Sequence, residues 1–234
     1  MILKSIYLTM ETGASAIPAN ENIKLLFRHS IRSSSAKSND PNEFTLTREG
    51  LMMAQYFGRN IEYSIGKVYC SHFRRCVQTV ELMQMGRCEE WVINSDDRLS
   101  SNLICPNEEG QSSFFELGLK KVVCMLANGI SLRGFNSADA CVSSIVDLVF
   151  STGNENSTLD LYCTHDIHLM LVISRLFRIE KLEEIRDNWP YMLEGIYLWG
   201  CREDFYVTWR GQTKRFTRFL LDSQRLETND SKSN

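Results

Sequence analysis

The chain has 234 residues, 43% hydrophobic and 24% charged, which suits a globular protein built as one large domain. Its formal net charge of -3 provides no overall basic field to recruit nucleic acid or a membrane surface, so any anion site must come from local clusters of Arg and Lys. The eight cysteines are scattered with no CxxC pair, and no apolar run approaches the ~20 residues of a membrane span, so the expectation is reduced thiols in a cytoplasmic protein.

Taken in chain order, the opening Met1 to Leu8 is too short and interrupted for a secretory core, although Ala14-Ser15-Ala16 has the small residues of a cleavage site. Ile23 to Phe27 is a short apolar run flanked by polar residues and reads as a buried strand. Thr47 to Ile61 carries apolar residues at 51, 54, 57 and 61, a helical stripe with Thr47 as its N-cap. Lys67 to Cys70 is a second strand, followed by a helix over Arg74 to Met85. The methionines in Leu51-Met52-Met53 and Leu82 to Met85 lie at helical spacing and read as core.

A middle region, about 86 to 158, departs from this alternation. It has a polar loop over Ser95 to Ser112, an amphipathic helix over Phe114 to Asn128 and another over Ala138 to Phe150, read as a cap that belongs to the same domain. Leu159 to Cys163 is the third strand, followed by a helix over Ile167 to Phe177. Ile196 to Trp199 and Phe205 to Trp209 flank the five residues Gly200 to Asp204, a hairpin pattern. The residues from about Asp222 are polar and read as a frayed tail. Strands alternating with helices predict a three-layer α/β/α sandwich around a mostly parallel sheet, with a small helical and loop cap, all in one domain over 1–234.

The chemistry falls at the ends of the three strands. The first ends in Arg28-His29 with Arg32 a turn on, the second in Ser71 with Arg74 and Arg75 beyond, and the third in Thr164-His165-Asp166. In a parallel sheet all carboxyl ends lie on one edge, where ligands bind. Two His, one Asp and three or four Arg therefore converge on one site. Arg forks match phosphate oxygens, and helix N-termini after the strands add N–H donors. Such a site suits phosphoryl transfer: Arg groups neutralise the transferring oxygens, a neutral imidazole attacks phosphorus, and Asp166 in its protonated form gives a proton to the leaving oxygen. Each such charge-stabilising donor is typically worth ~3–4 kcal/mol in the transition state.

Arg28-His29-Ser30-Ile31-Arg32 resembles the RHGxR signature of the histidine phosphatase superfamily, which includes phosphoglycerate mutases and acid phosphatases. Leu46-Thr47-Arg48-Glu49-Gly50 resembles its L-T-x-x-G, Ser71 to Thr79 its S-x-x-x-R-A-x-Q-T, and Thr164-His165-Asp166 the His-Asp pair of its acid-phosphatase branch. The four elements occur in the family's order and cover about 23 to 177. The resemblance implies a metal- and cofactor-independent phosphatase with His29 as the phosphorylated nucleophile. It also implies that Arg28, Arg32, Arg75 and His165 bind phosphate, with His165 the second pocket histidine and Asp166 the proton donor. The other branch takes its acid from a Glu after a mid-chain Arg-Leu. Here Arg98-Leu99 is followed by Ser100-Ser101, which favours Asp166 while keeping Glu108 and Glu109 as alternatives. Ser30 replaces the family's Gly and is expected to narrow the pocket.

Several residues have plainer readings. Arg74 is expected to face solvent and His72 to lie at the rim. His168 is divided between helix packing and the pocket wall, and Trp189, Trp199 and Trp209 read as packing residues. Rival functions are a phosphate-binding or regulatory relative that has lost turnover, a phosphomutase, and a metal-dependent HD-type hydrolase using His165-Asp166-Ile167-His168. The mutase needs basic residues for a second phosphate, and these are not evident in the middle segment. The cap's Asn, Ser, Glu108 and Glu109 argue against polyphosphorylated substrates. A small-molecule or phosphoprotein phosphomonoester is the expected partner; the oligomeric state is left open.

Overall fold

The computed structural model describes residues 21–33, 44–151 and 158–217. The frayed tail expected from 222 and the opening segment lie outside them. In chain order the elements are β1 (Ile23–Arg28), α1 (Arg48–Arg59), β2 (Ile65–Cys70), α2 (Arg74–Arg87), β3 (Ile93–Ser95), α3 (Glu108–Leu117), α4 (Leu119–Ala127), α5 (Ala138–Ser151), β4 (Leu159–Thr164), α6 (Asp166–Phe177), α7 (Leu182–Asp187), β5 (Gly195–Cys201), β6 (Asp204–Trp209) and β7 (Gln212–Thr217). Two single turns of 3-10 helix, Asp97–Leu99 and Ser101–Leu103, sit between β3 and α3.

The strands form one seven-stranded sheet in the order β3-β2-β4-β1-β5-β6-β7. From β3 to β1 neighbours run parallel, and from β1 to β7 antiparallel. The period-2 alternation of strand side chains feeds two cores, one on each face. On β1, Ile23, Leu25 and Phe27 face α1 and α2, where they meet Met53, Phe57, Val80 and Met83. Leu26 of β1 and Tyr162 of β4 face the opposite layer, made of α4, α5 and α6. Phe27 and Phe57 are fully buried with ring centroids 6.1 Å apart. Burying a side chain of that size contributes roughly 1.5–3 kcal/mol. The result is the three-layer α/β/α sandwich. No helix among the described residues is long and apolar enough to cross a membrane.

The local signals in the sequence explain most element boundaries. Thr47 caps α1, its hydroxyl accepting from the Gly50 N–H at 3.1 Å. α1 and α2 approach so closely that a Cβ on Gly58 would lie 2.2 Å from the Met83 carbonyl oxygen. The methionines divide by helical period: Met53 and Met83 are core, whereas Met52 and Met85 are exposed, which corrects the reading of all of them as core.

Three other expectations are corrected. The single helix over Phe114 to Asn128 is two, because Gly118 at φ +76° breaks it between α3 and α4. The polar stretch Ser95 to Ser112 is partly helical, since Asn107 caps α3 through the Gly110 N–H. The hairpin turn shrinks to Arg202-Glu203, because β5 and β6 pair out to Cys201↔Asp204. β7 extends that hairpin with a strand the sequence pattern did not announce.

Candidate active site

The site is built where β1, β4 and β2 end. The ladder continues one residue past the strands: the His29 N–H donates to the Thr164 carbonyl and the Ser71 N–H to the Cys163 carbonyl, both at 3.0 Å. These two bonds set the relative positions of His29, His165 and Ser71. The imidazoles of His29 and His165 lie with ring centroids 5.5 Å apart.

Hydrogen-bond chemistry fixes the tautomer of each ring. His29 Nδ1 lies 2.7 Å from the Ser30 carbonyl, which can only accept, so Nδ1 carries the proton and Nε2 a lone pair. Arg75 Nε donates to that Nε2 at 3.2 Å. Arg75 Nη2 donates to His165 Nδ1 at 3.1 Å, leaving the His165 Nε2–H to donate to Ser71 Oγ at 2.9 Å. The Phe73 ring packs against both, 4.7 Å from the Arg75 guanidinium carbon and 5.0 Å from the His165 centroid. It holds the Arg between the two imidazoles.

The surroundings keep both rings neutral. Burial, then the charges of Arg28 and Arg75, push His29 down to about 3. Burial, Arg75 and His29 push His165 well below the ordinary imidazole value. His29 is 2% exposed, so its Nε2 lone pair is both unprotonated and shielded from bulk water.

Asp166 opens α6. Burial drives its carboxyl upward, but Arg28, His29, the Trp189 indole and the Ile167 N–H together outweigh burial and hold it below the usual carboxylate range. Arg28 Nη2 lies 2.8 Å from Asp166 Oδ2, and Trp189 Nε1 donates to the same oxygen at 3.2 Å. The Ile167 N–H donates to Oδ1 at 2.9 Å. The resting carboxylate is therefore charged, not in the protonated form assumed from the sequence. Arg28 Nη1 donates to the Pro190 carbonyl at 2.8 Å, while its buried Nε has no partner among the described residues.

The structure thus gathers His29, His165, Asp166, Arg28 and Arg75 at one sheet edge. Arg32 is exposed, its guanidinium 4.9 Å from the Phe44 ring centroid and bonded to the Ser33 carbonyl, yet its charge is felt by Arg28 and Arg75. Arg74 faces outward beside Glu81, and His72 pairs with Asp97 at the surface. Glu108 and Glu109 are exposed on α3, with Glu109 on Arg133. His168 is fully buried and its Nε2–H donates to the Ser100 carbonyl at 2.7 Å, while Thr164 Oγ1 holds the Leu99 carbonyl at 2.8 Å. These two bonds fasten the mid-chain loop beneath the site. Among the described residues, no group of three or more His, Cys, Asp or Glu side chains is placed to hold a metal ion.

Ser30 does not narrow the pocket. Its hydroxyl donates to the Gly50 carbonyl at 2.8 Å and its N–H to Thr79 Oγ1 at 3.0 Å, so the side chain turns toward the start of α1. Gly50 is required there: a Cβ would fall 2.1 Å from the Ile31 carbonyl oxygen.

The loop before β5 supplies what the sequence reading missed. Trp189, read as packing, touches Asp166, and Pro190 touches Arg28. The loop is pinned by buried Glu194, which accepts from Arg210 Nε at 2.6 Å, Arg210 Nη2 at 3.0 Å, Trp209 Nε1 at 3.2 Å and the Tyr191 N–H at 2.7 Å. The one sequence signal for this loop was an acidic residue beside the apolar run Gly195 to Trp199, which is out of place unless buried and paired.

No protein-family model matches the sequence, and no curated protein matches it significantly. Solved structures do match. A mycobacterial glucosyl-3-phosphoglycerate phosphatase superposes with TM-score 0.50 at 11% identity, covering 84% of this chain and 97% of that one. YhfR of Bacillus stearothermophilus gives TM-score 0.55 at 16% identity over 82% and 98% of the two chains. A protein described as mycobacterial hydrolase 1 gives 0.56 at 10% identity over 84% and 97%. Identities this low speak to architecture alone: this chain shares the α/β fold of these structures.

Proposed function

We propose that the protein is a phosphomonoester hydrolase working through a phosphohistidine on His29. One observation carries the reading: a buried, neutral imidazole whose Nε2 lone pair is held against the Arg75 guanidinium. A lone pair stationed on a cation is poised for an electrophile that arrives with negative oxygens, as a phosphoryl group does.

In this reading the phosphate oxygens take the donors of Arg75, Arg28 Nε and His165, with Arg32 reaching in from the rim. His29 Nε2 attacks phosphorus, the bond from phosphorus to the ester oxygen breaks, and Asp166 protonates the departing oxygen. Water then attacks the phosphohistidine, the bond from phosphorus to His29 Nε2 breaks and returns its electron pair to the ring, the water's proton passes to Asp166, and inorganic phosphate leaves. Arg28 is the leading cation holding Asp166 ionised. Drawing Arg28 onto phosphate loosens that hold, and a monoanionic ester brings the proton with it. The substrate class is a small-molecule or phosphoprotein phosphomonoester. All eight cysteines are free thiols, five of them buried, which fits the reducing cytoplasm we propose as its compartment.

The charged state of Asp166 also favours a second reading, a phosphate-binding member of the fold without turnover. A panel of phosphomonoesters assayed in chelator separates the two. The hydrolase reading expects metal-independent turnover in the wild type and none in His29→Ala; silence across the panel with retained phosphate binding supports the second.

A further inference from the structure

Trp189 has two neighbours of different kinds. Its indole N–H holds Asp166, and its ring also walls a cavity of about 460 Å³ formed by the start of α4 and by α7. Leu119 and Leu182 give this cavity apolar surface, while Lys120, Lys121 and Arg186 line it with positive charge. Lys120 Nζ stands 5.6 Å from the Trp189 ring centroid. None of the three cations makes an ion pair among the described residues. The acidic residues of α7 do not line the cavity, and Glu184 is occupied by Lys181.

Lys120, Lys121 and Arg186 are exposed like charges around a hollow that no carboxylate lines, so they repel one another and an anion relieves the repulsion. The cavity is also directional. Trp189 is the residue it shares with the site, since the indole that lines it also bonds Asp166, the proton donor of the proposed reaction, so it lies on the leaving-group side of that reaction. The sequence hides the cluster, because Lys120 and Lys121 are over sixty residues from Arg186.

We propose that this cavity receives the leaving group of the substrate, and that Lys120, Lys121 and Arg186 bind a second anionic group carried on it, a carboxylate or a phosphate. The inference rests on the phosphohistidine reading, which makes the Asp166 side the leaving-group side. The flat Trp189 wall suits a planar spacer between the two anions.

Phosphonates bind without turnover and test this directly on the full chain. Calorimetric Kd values are compared for benzylphosphonate, its 4-carboxymethyl derivative and the para-xylylene bisphosphonate, on wild type and on Lys120→Ala/Arg186→Ala, with thermal unfolding to verify that the variant is folded. The expected result is about tenfold tighter wild-type binding of at least one doubly anionic compound. The variant loses this advantage while binding benzylphosphonate within about twofold of wild type. The carboxylate and bisphosphonate arms tell which anion the cluster prefers. Equal wild-type affinities for all three compounds overturn the subsite, as does an advantage that survives in the variant. If wild type binds none of the three, the phosphate site itself fails, and the subsite falls with it.

Discussion

Asp166 concentrates the chemistry of this site at the scale of one residue. It is ionised at rest, yet the proposed reaction needs its proton. Asp166→Asn keeps an oxygen that can accept from Arg28 but has no carboxyl proton to transfer, and general acid catalysis is typically worth 10²–10⁴-fold. The substitution is expected to lower kcat on an alkyl phosphate by at least ~10²-fold. On p-nitrophenyl phosphate, whose leaving group needs no proton, the loss is under about tenfold; equal losses on both would assign Asp166 to positioning Arg28 instead. The residue identities His29, His165, Asp166, Arg28 and Arg75 were all legible in the sequence, because each sits at or just after an apolar run whose end could be read. Arg32 was legible only as part of a motif; its side chain leans on Phe44, a packing choice that spacing does not encode.

At the scale of elements, the junction between the nucleophile loop and α1 is the sharpest case. Ser30 donates to the Gly50 carbonyl, and Gly50 has no room for a Cβ against Ile31. Ser30→Gly is expected to cost about 1 kcal/mol, the worth of one buried hydrogen bond, and to leave turnover within severalfold. Gly50→Ala forces two backbone segments apart and is expected to cost ~3 kcal/mol or more, with activity lost. Urea unfolding of both variants, alongside assays, checks the contrast; similar costs would mean that the junction relaxes freely. The helix signals here were plain to read: Thr47 caps and an apolar stripe follows. The break at Gly118 was also written in the sequence, but the amphipathic pattern runs through it, and periodicity alone cannot tell a kinked pair from one helix. Ser30 was misread because its partner lies twenty residues away.

For the whole molecule, the sheet divides the labour. Its parallel half presents the strand ends that carry His29, Ser71 and His165, and its antiparallel half delivers the loop with Trp189, Pro190 and Glu194. The first half is readable from alternating strands and helices. The second is not, since its residues contact the site only through long-range pairing that local pattern does not reveal. The same architecture buries three neutral histidines: His29 near 3, His168 near 4 and His165 well below its ordinary value, each pushed down first by burial. Unfolded, each takes a proton near pH 6.5. Their lowered folded values mean that the unfolded chain binds more protons, so stability is fully present above pH 6.5 and drains away as pH falls toward 4. The expected slope is about 1 kcal/mol per pH unit for each histidine, measured by urea unfolding between pH 7 and 5. His168→Gln should shed about a third of it, and a pH-independent stability would place these rings in water. The proposed function stands on the passage of phosphate through His29. Rapid acid-free quenching during turnover of a labelled phosphomonoester, followed by mass spectrometry, tests it. One phosphoryl group is expected on the peptide containing His29, absent in His29→Ala. Turnover with no label on that peptide, or label retained in His29→Ala, would contradict it.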